Sequence, residues 1–314
     1  MRIFDRKEST RQFYSEADQI EGFSLFDRFH SYLYIAFPYL YIGVGTGNHW
    51  LAKLITPAIN LWYQLFPRKN DPNVHALDVA SRSMADTYHG KALPLAQAKT
   101  LVTVKEDVRI EDLEHVIPYV DARALILKHP DHIAVLECPC RSVKENPCLP
   151  LDVCLIVGEP FASFVREHHA EKSRWITAEE AITILEEEDQ RGHVHHAFFK
   201  DAMLGRFYAI CNCCSCCCGA MRAQRNNVPM LASSGYLAAV EVEKCEGCGT
   251  CAEYCQFEAI SITAGHSQID ESKCMGCGIC ISKCEQEALS LRLAPEKGVP
   301  FELAELIEKA ASSV

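Results

Sequence analysis

Long apolar runs are scarce in this sequence. A helix that crosses a bilayer needs about 20 consecutive apolar residues. The stretch from Tyr32 to Val44 is too short and carries Pro38, and the one from Leu51 to Phe66 is interrupted by Lys53 and Pro57. Basic residues are outnumbered too, with 31 Lys and Arg against 42 Asp and Glu. The resulting net charge of −11 argues against a nucleic-acid surface, which needs clustered cations. The start, Met1-Arg2-Ile3-Phe4-Asp5-Arg6-Lys7-Glu8, has neither the apolar run nor the small-residue cleavage site of a secretory signal, so the cytoplasm is the expected compartment. No Gly-x-Gly-x-x-Gly follows an expected strand, so no flavin or nicotinamide pocket shows itself.

Cysteine is what the chain has in excess, with 18 in 314 residues. In a reducing compartment these are not expected to be disulfide staples, and metal ligation becomes their leading use. A hydrophobic content of 48% over this length is enough for two or three compact units.

The cysteines fall into three groups: Cys138, Cys140, Cys148 and Cys154; the run Cys211, Cys213, Cys214, Cys216, Cys217 and Cys218; and eight between Cys245 and Cys284. The last group is a repeat. "CEGCGTCAEYC" returns as "CMGCGICISKC" after a shift of 29 positions, and Glu258 to Ile262 returns as Glu287 to Leu291, so a whole supersecondary unit is doubled. In C-x-x-C-x-x-C one loop wraps a cubane, and Gly247, Gly249, Gly276 and Gly278 let the backbone come close. The fourth cysteine points the other way. This spacing resembles that of bacterial two-cluster ferredoxins, in which the fourth cysteine ligates the other cluster. The resemblance implies one [4Fe–4S] centre on Cys245, Cys248, Cys251 and Cys284, and a second on Cys274, Cys277, Cys280 and Cys255. Gln256 and Glu285 stand where proline usually follows the fourth cysteine, so the turn is expected to differ, and nearby carboxylates to lower the potential. Zinc ribbons lack the third cysteine of each unit, which disfavours zinc at these eight.

Upstream, Ile110, Leu113 and Val116 have helical spacing, and the apolar run Ile133 to Leu136 reads as a strand leading into Cys138-Pro139-Cys140-Arg141. Thr177-Ala-Glu-Glu180 reads as the capped start of a helix with Ala178, Ala181, Ile182 and Leu185 on one face, ending before Gly192. The C-P-C-R segment, two further cysteines, Gly-x-Val-His, the I-C-N-C-C-x-C-C-C run and the doubled module together resemble a family of iron–sulfur proteins of anaerobic bacteria and archaea, labelled 4Fe–4S dicluster or ferredoxin-type proteins. The resemblance spans roughly residues 104 to 292. It implies electron transfer and iron–sulfur binding, and names no substrate.

Cys138, Cys140, Cys148, Cys154, Cys211, Cys213, Cys214, Cys216, Cys217 and Cys218 are candidates for a third metal centre. Neighbouring side chains in a strand point to opposite faces, so adjacent thiolates need several irons or two sites back to back. In extended geometry Cys211, Cys213 and Cys216 share a side, with Cys214 and Cys217 turned away. Three uses compete: a further Fe–S cluster, zinc or another structural metal, and thiol–disulfide chemistry. His193, His195 and His196 read as a polar loop, with metal ligation or proton transfer as the sharper reading. Arg141 reads either as a partner for an anionic cluster, carboxylate or phosphate, or as a surface arginine. His168-His169 reads as a solvated helix face.

Phe23 to Phe66 is rich in aromatic and aliphatic residues. Its options are packing into the protein's own core, docking on a larger subunit, or lying at a membrane interface. The expected fold is α+β: an aromatic-rich segment and linker over 1–75 (the linker at 67–75), a Cys-rich mixed α/β domain over 76–235, a two-cluster ferredoxin-like module over 236–295 and a C-terminal helix over 296–314. The expected function is electron transfer between two [4Fe–4S] clusters and a further Cys-ligated centre, as subunit or partner of an anaerobic oxidoreductase. The alternatives are a reductase with a catalytic Fe–S centre at the Cys-rich site, aided by a histidine of 193–196, and a zinc-braced ferredoxin scaffold. The expected partners are a redox protein or a larger oxidoreductase complex, with membrane-interface contact through residues 23–66 left open and no nucleic acid.

Overall fold

The computed structural model describes residues 7–20, 22–54, 57, 88–111, 113, 116 and 124–312. Among them an eight-stranded sheet forms the middle layer. Its strands are β1 (Tyr88–Leu93), β2 (Val108–Glu111), β3 (Ala124–Glu137), β4 (Asp152–Glu159), β5 (Ser173–Ile176), β6 (Val194–Lys200), β7 (Arg206–Cys213) and β8 (Leu231–Ala232). They lie in the order β2-β3-β4-β7-β6-β1-β8, with β5 also pairing β3. The β4–β7 and β6–β7 pairs are antiparallel, and β1 runs parallel to β8.

Helices cover both faces. On one face lie α1 (Glu8–Ala17), α2 (Leu25–Ala36) and α3 (Pro38–Gly45). The other face receives α4 (Leu95–Val102). A single turn, α5 (Pro139–Ser142), follows β3. Next come α6 (Phe161–His168), on the α1 side, α7 (Ala178–Gln190), on the α4 side, and α8 (Gly219–Arg225), which returns to the α1 side. Each face has its own core. Phe13, Phe161, Phe164 and Tyr208 fill the first, and Leu101, Leu185, Phe199 and Phe207 the second. Burying each such side chain contributes about 1.5–3 kcal/mol.

Local signals explain several boundaries. Ser24 caps α2 by accepting from the Asp27 N–H, while its own N–H donates to the Asp27 carboxylate at 2.8 Å. Pro38 lacks the N–H that would continue α2 and instead opens α3. Thr177 caps α7 through the Glu180 N–H at 3.2 Å, and the helix ends before Gly192. The run expected from Ile133 into Cys138 is the end of the longer β3.

Three expectations change. Ile110 is not helical but sits in β2 opposite Leu125, because pairing with β3 buries it better than a short isolated helix would. His195 and His196 lie in buried β6, not in a polar loop, because β6 is paired along its length with β1 on one side and β7 on the other. His168 and His169 are half-buried and partnered, not a solvated face. The His168 ring stacks on Phe164 at 4.3 Å and its Nε2 meets Thr10 Oγ1 at 3.0 Å, while His169 Nε2 meets the Ile35 carbonyl at 2.7 Å. These contacts fasten the N-terminal helices to α6. Phe13, Tyr34 and Ile35 enter the first core, while Leu25, Phe26, Phe37 and Trp50 stay exposed. Among the described residues no helix is long and apolar enough to cross a membrane. The expected linker at 67–75 lies outside the described residues.

The doubled unit follows. β9 (Tyr236–Val240) pairs antiparallel with the later β12 (Leu289–Leu293), bringing the two ends of the repeat together. Between them come the turn α9 (Thr250–Glu253), the hairpin β10 (Ile260–Thr263) and β11 (His266–Ile269), and the turn α10 (Ile279–Ser282). Last comes α11 (Leu303–Ser312), whose Leu303 and Leu306 pack into the second core beside Phe301.

Candidate metal centres

Strands β4 and β7 set the frame for the upstream cysteines. In β7 the period of two puts Cys211 and Cys213 on one face and Asn212 on the other. Cys154 is the cross-strand partner of Cys211, and His196 is its partner on the other side, so one rung carries Cys154, Cys211 and His196. After Cys213 the chain leaves the strand and turns at 215–217. The expectation that Cys216 shares a side with Cys211 and Cys213 fails, because alternation stops at Cys213 and the turn carries Cys216 to the Cys148 group.

The ten thiols separate into two groups placed back to back. Six of them gather on one side: Cys154 and Cys211 lie 3.4 Å apart and Cys213 and Cys218 3.3 Å, with Cys138 and Cys140 lining the same cavity. All six line a cavity of about 30 Å³, walled also by Arg141 and Phe198, and Cys214 and Cys217 of the other group reach its lining too. The other four, Cys148, Cys214, Cys216 and Cys217, have sulfurs all within 4.8 Å of one another. Sequence neighbours are divided between the groups: Cys213 from Cys214, and Cys217 from Cys218.

Electrostatics differ between the groups. In the six, the bond to Cys154, then burial, holds the Cys211 thiol well above its ordinary value, and the bond to Cys140, then burial, does the same to Cys138. Such thiols stay protonated until a cation takes the place of their protons. In the four, burial raises Cys216, but hydrogen bonds from Cys148, Cys214 and Cys217 outweigh it and hold the thiol below its ordinary value. Cys148 is pushed up to about 12, by burial first and by Cys216 next.

Arg141 is no surface residue. Its side chain is 1% exposed and donates to Glu188 at 2.5 Å, to the Asn212 carbonyl at 2.9 Å and to the Pro150 carbonyl at 2.6 Å. His193 Nδ1 joins it, 2.7 Å from Glu188, and His195 Nδ1 meets Asn212 Oδ1 at 2.6 Å. Two of the three histidines therefore brace the end of β7. His196 alone shares a face with the thiols. It is buried, neither ring nitrogen is hydrogen-bonded, and burial, with His195 adding to it, pushes it down to about 3, so it is neutral at pH 7.

Beside the six-cysteine pocket lies a second cavity of about 330 Å³, with Cys140 in both linings. Tyr34, Tyr41, Thr46, Lys200, Arg222 and Asn226 are among its polar lining residues. Lys200 is buried, with its ammonium 4.8 Å from the centre of the Tyr34 ring, and burial lowers its pKa to about 8. Nothing in the sequence spacing signals this cavity, because its walls come from chain segments far apart.

In the doubled unit the backbone serves the sulfurs. The N–H groups of Ala259, Ser267 and Ala288 donate to the Sγ atoms of Cys255, Cys245 and Cys284 at 3.3, 3.4 and 3.3 Å. The Ser267 N–H first, then that of Gly247, lowers Cys245 to about 7. Gly247 and Gly276 have positive φ, and a Cβ on either would lie 2.2 Å from a carbonyl oxygen, of Gly265 or Tyr236. Cys255, from the first repeat, acts electrostatically on Cys277 and Cys280 of the second. Burial first, with Cys255 and Cys274 adding, pushes Cys277 up to about 12. All-thiolate donors, amides aimed at sulfur and loops closed to any side chain are what an iron–sulfur cluster requires, so these residues fit the group.

A family model described as a 4Fe-4S binding domain matches the chain at 238–261 and again at 267–290, one match per repeat. Residues 238–290 are a ferredoxin-type iron–sulfur module. An iron–sulfur electron-transfer role follows for this part of the chain. A comparison with curated proteins finds no match.

The ferredoxin-type module is tied to the Cys-rich domain at the cysteines themselves. Gln256, directly after Cys255, accepts from the Ser215 N–H at 2.8 Å, inside the Cys214–Cys217 turn. Lys283 donates to the Gln190 carbonyl at 2.8 Å, and the Ser234 N–H donates to the Met275 carbonyl at 3.0 Å. Phe257 packs against both the first core and the core of the module. The departure from proline at position 256 was the one sequence signal of this joint.

Proposed function

We propose that the protein is an iron–sulfur electron-transfer protein with two [4Fe–4S] clusters and a third, polynuclear centre, acting as a subunit or dedicated partner of an oxidoreductase of anaerobic metabolism. The ligands are Cys245, Cys248, Cys251 and Cys284 for one cluster, and Cys274, Cys277, Cys280 and Cys255 for the other. The electrostatic reach of Cys255 onto the second triad supports this crossed arrangement. The third centre belongs to Cys138, Cys140, Cys154, Cys211, Cys213 and Cys218. The observation that carries it is the convergence of six thiols from separate chain segments on one small buried cavity beside the module.

Held by these thiolates, iron–sulfur groups supply one-electron transfer. The chain's own part is to exclude water, to direct amide N–H groups at the sulfurs and to keep the module close to the six-cysteine pocket through Ser215 and Gln256. The exposed Leu25, Phe26, Phe37 and Trp50 support a redox protein, or a membrane surface, as the docking partner. The test is iron, zinc and acid-labile sulfide per chain in anaerobically purified protein, beside a variant with Cys154→Ser and Cys211→Ser. About twelve or more irons, falling toward about eight in the variant with the module's EPR signals intact, supports the reading. About eight irons in both, with zinc making up the difference, replaces it with a ferredoxin on a zinc-braced scaffold.

The cavity that shares Cys140 favours a second reading, a reductase whose substrate enters there. Lys200, lowered to about 8, is then the proton donor, in place of a histidine. Binding of cyanide or carbon monoxide that alters only the third centre's EPR signal, and is changed by Lys200→Met, would favour it over a sealed electron wire.

A further inference from the structure

The geometry points to a separate mononuclear metal site on Cys148, Cys214, Cys216 and Cys217, which takes a single divalent ion, zinc or ferrous iron, in a tetrahedral all-thiolate shell. The first observation is distance. Cys148 and Cys216 sulfurs are 3.1 Å apart, Cys216 and Cys217 3.7 Å, and all four lie within 4.8 Å of one another. Metal–sulfur bonds of about 2.3 Å in a tetrahedron put the sulfurs about 3.8 Å apart, in the middle of that range. A cubane puts each thiolate on its own iron and spreads the sulfurs wider. The eight cysteines of the ferredoxin-type module provide an internal contrast, because among the described residues only the Cys148 group closes to 4.8 Å.

The second observation is how the chain presents the ligands. Cys214 leaves β7, the turn at 215–217 brings round Cys216 and Cys217, and Cys148 comes from the loop before β4. Ser215, between the ligands, is gripped at both ends of its peptide units: its N–H by Gln256, and its carbonyl by the Arg225 guanidinium. The turn is therefore held in a ligating shape by groups that are not ligands. Cys148 is half-buried and Cys216 exposed, which gives an ion a way in. The donor set, four thiolates without a carboxylate or imidazole, selects zinc or iron over magnesium, calcium or manganese. Four protein ligands leave no open position, so the site clips the 143–151 loop to the β7 turn and, if it holds iron, can also pass one electron.

The site adjoins the six-cysteine pocket, since Cys214 and Cys217 reach that lining as well, and its test separates the two. Iron, zinc and acid-labile sulfide per chain are compared between the full-length protein and a Cys148→Ser, Cys216→Ser double variant, both purified anaerobically. The expected result is the loss of one metal atom per chain with sulfide unchanged and the EPR signals of the module retained. Sulfide that falls with the metal overturns the site by making these thiols part of a cluster. Metal content that does not change overturns it too, as does a Cys148–Cys216 disulfide in the native chain. Should the variant not fold, the native protein decides. Zinc-edge X-ray absorption or iron Mössbauer spectra must show a metal bound by four sulfurs with no second metal behind them, and their absence at both elements overturns the site.

Discussion

The protein holds its cysteines in two contrasting ways. In the ferredoxin-type module each repeat brings three of its cysteines on one loop, and short-range backbone donors meet the sulfurs. Upstream, the thiols come from the turn α5, the loop before β4, β4 itself, β7 with the turn after it, and the start of α8, and only the tertiary structure brings them together. The first way is local and can be copied, and the chain has copied it. The second is assembled by tertiary structure and depends on buried polar groups such as Arg141, whose partners Glu188 and Asn212 lie far away in sequence.

Substitutions can break this contrast at chosen points. The largest effect is expected at Gly276→Ala, where a Cβ 2.2 Å from the Tyr236 carbonyl and a positive φ coincide. A loss of about 4 kcal/mol or more is expected, read by guanidinium denaturation, together with loss of one module EPR signal while the metal of the upstream domain stays. Arg141→Met should do the reverse. Leaving Glu188 buried with only His193 and Arg191 beside it costs about 3 kcal/mol, and adding Glu188→Gln should recover part of that. The module's signals should survive.

Gln256→Ala sharpens the comparison by cutting one of the ties between the two regions. The lost bond to Ser215 costs about 1 kcal/mol, read as a small drop in melting temperature in calorimetry, while the Lys283 and Ser234 bonds and Phe257 keep the two regions joined. The smallest effect is in pH. Burial first, then Lys7, lowers His168 to about 4 from its ordinary 6.5. The unfolded chain therefore takes up this proton first on acidification. The stability that neutral His168 provides is complete above about 6.5 and lost as pH falls toward 4. A His168→Phe variant should flatten that slope in upstream unfolding and leave the module's unfolding unchanged.

What could be read in advance follows the same division. Spacing exposed the doubled module, and Thr177 and the apolar face at Ala181 and Leu185 exposed α7, because these signals are local. Ile110 misled, since its helical spacing to Leu113 was overridden by pairing with Leu125 across β2 and β3. The sorting of ten thiols into six and four had no local signal. It depends on where β7 ends, and a strand's end is set by its neighbours. Arg141 was equally opaque, because its carboxylate partner lies 47 residues away on α7.

Gln256 has one more consequence. Ferredoxin-type modules look like interchangeable cartridges, and an engineer would expect to swap this one for another with proline after the fourth cysteine. Here the exchange would strand the Ser215 N–H in a part-buried position without an acceptor, in the middle of a turn that holds three cysteines. The cartridge has been machined to its socket, and a replacement must bring an amide side chain at that position or unsettle the upstream metal chemistry.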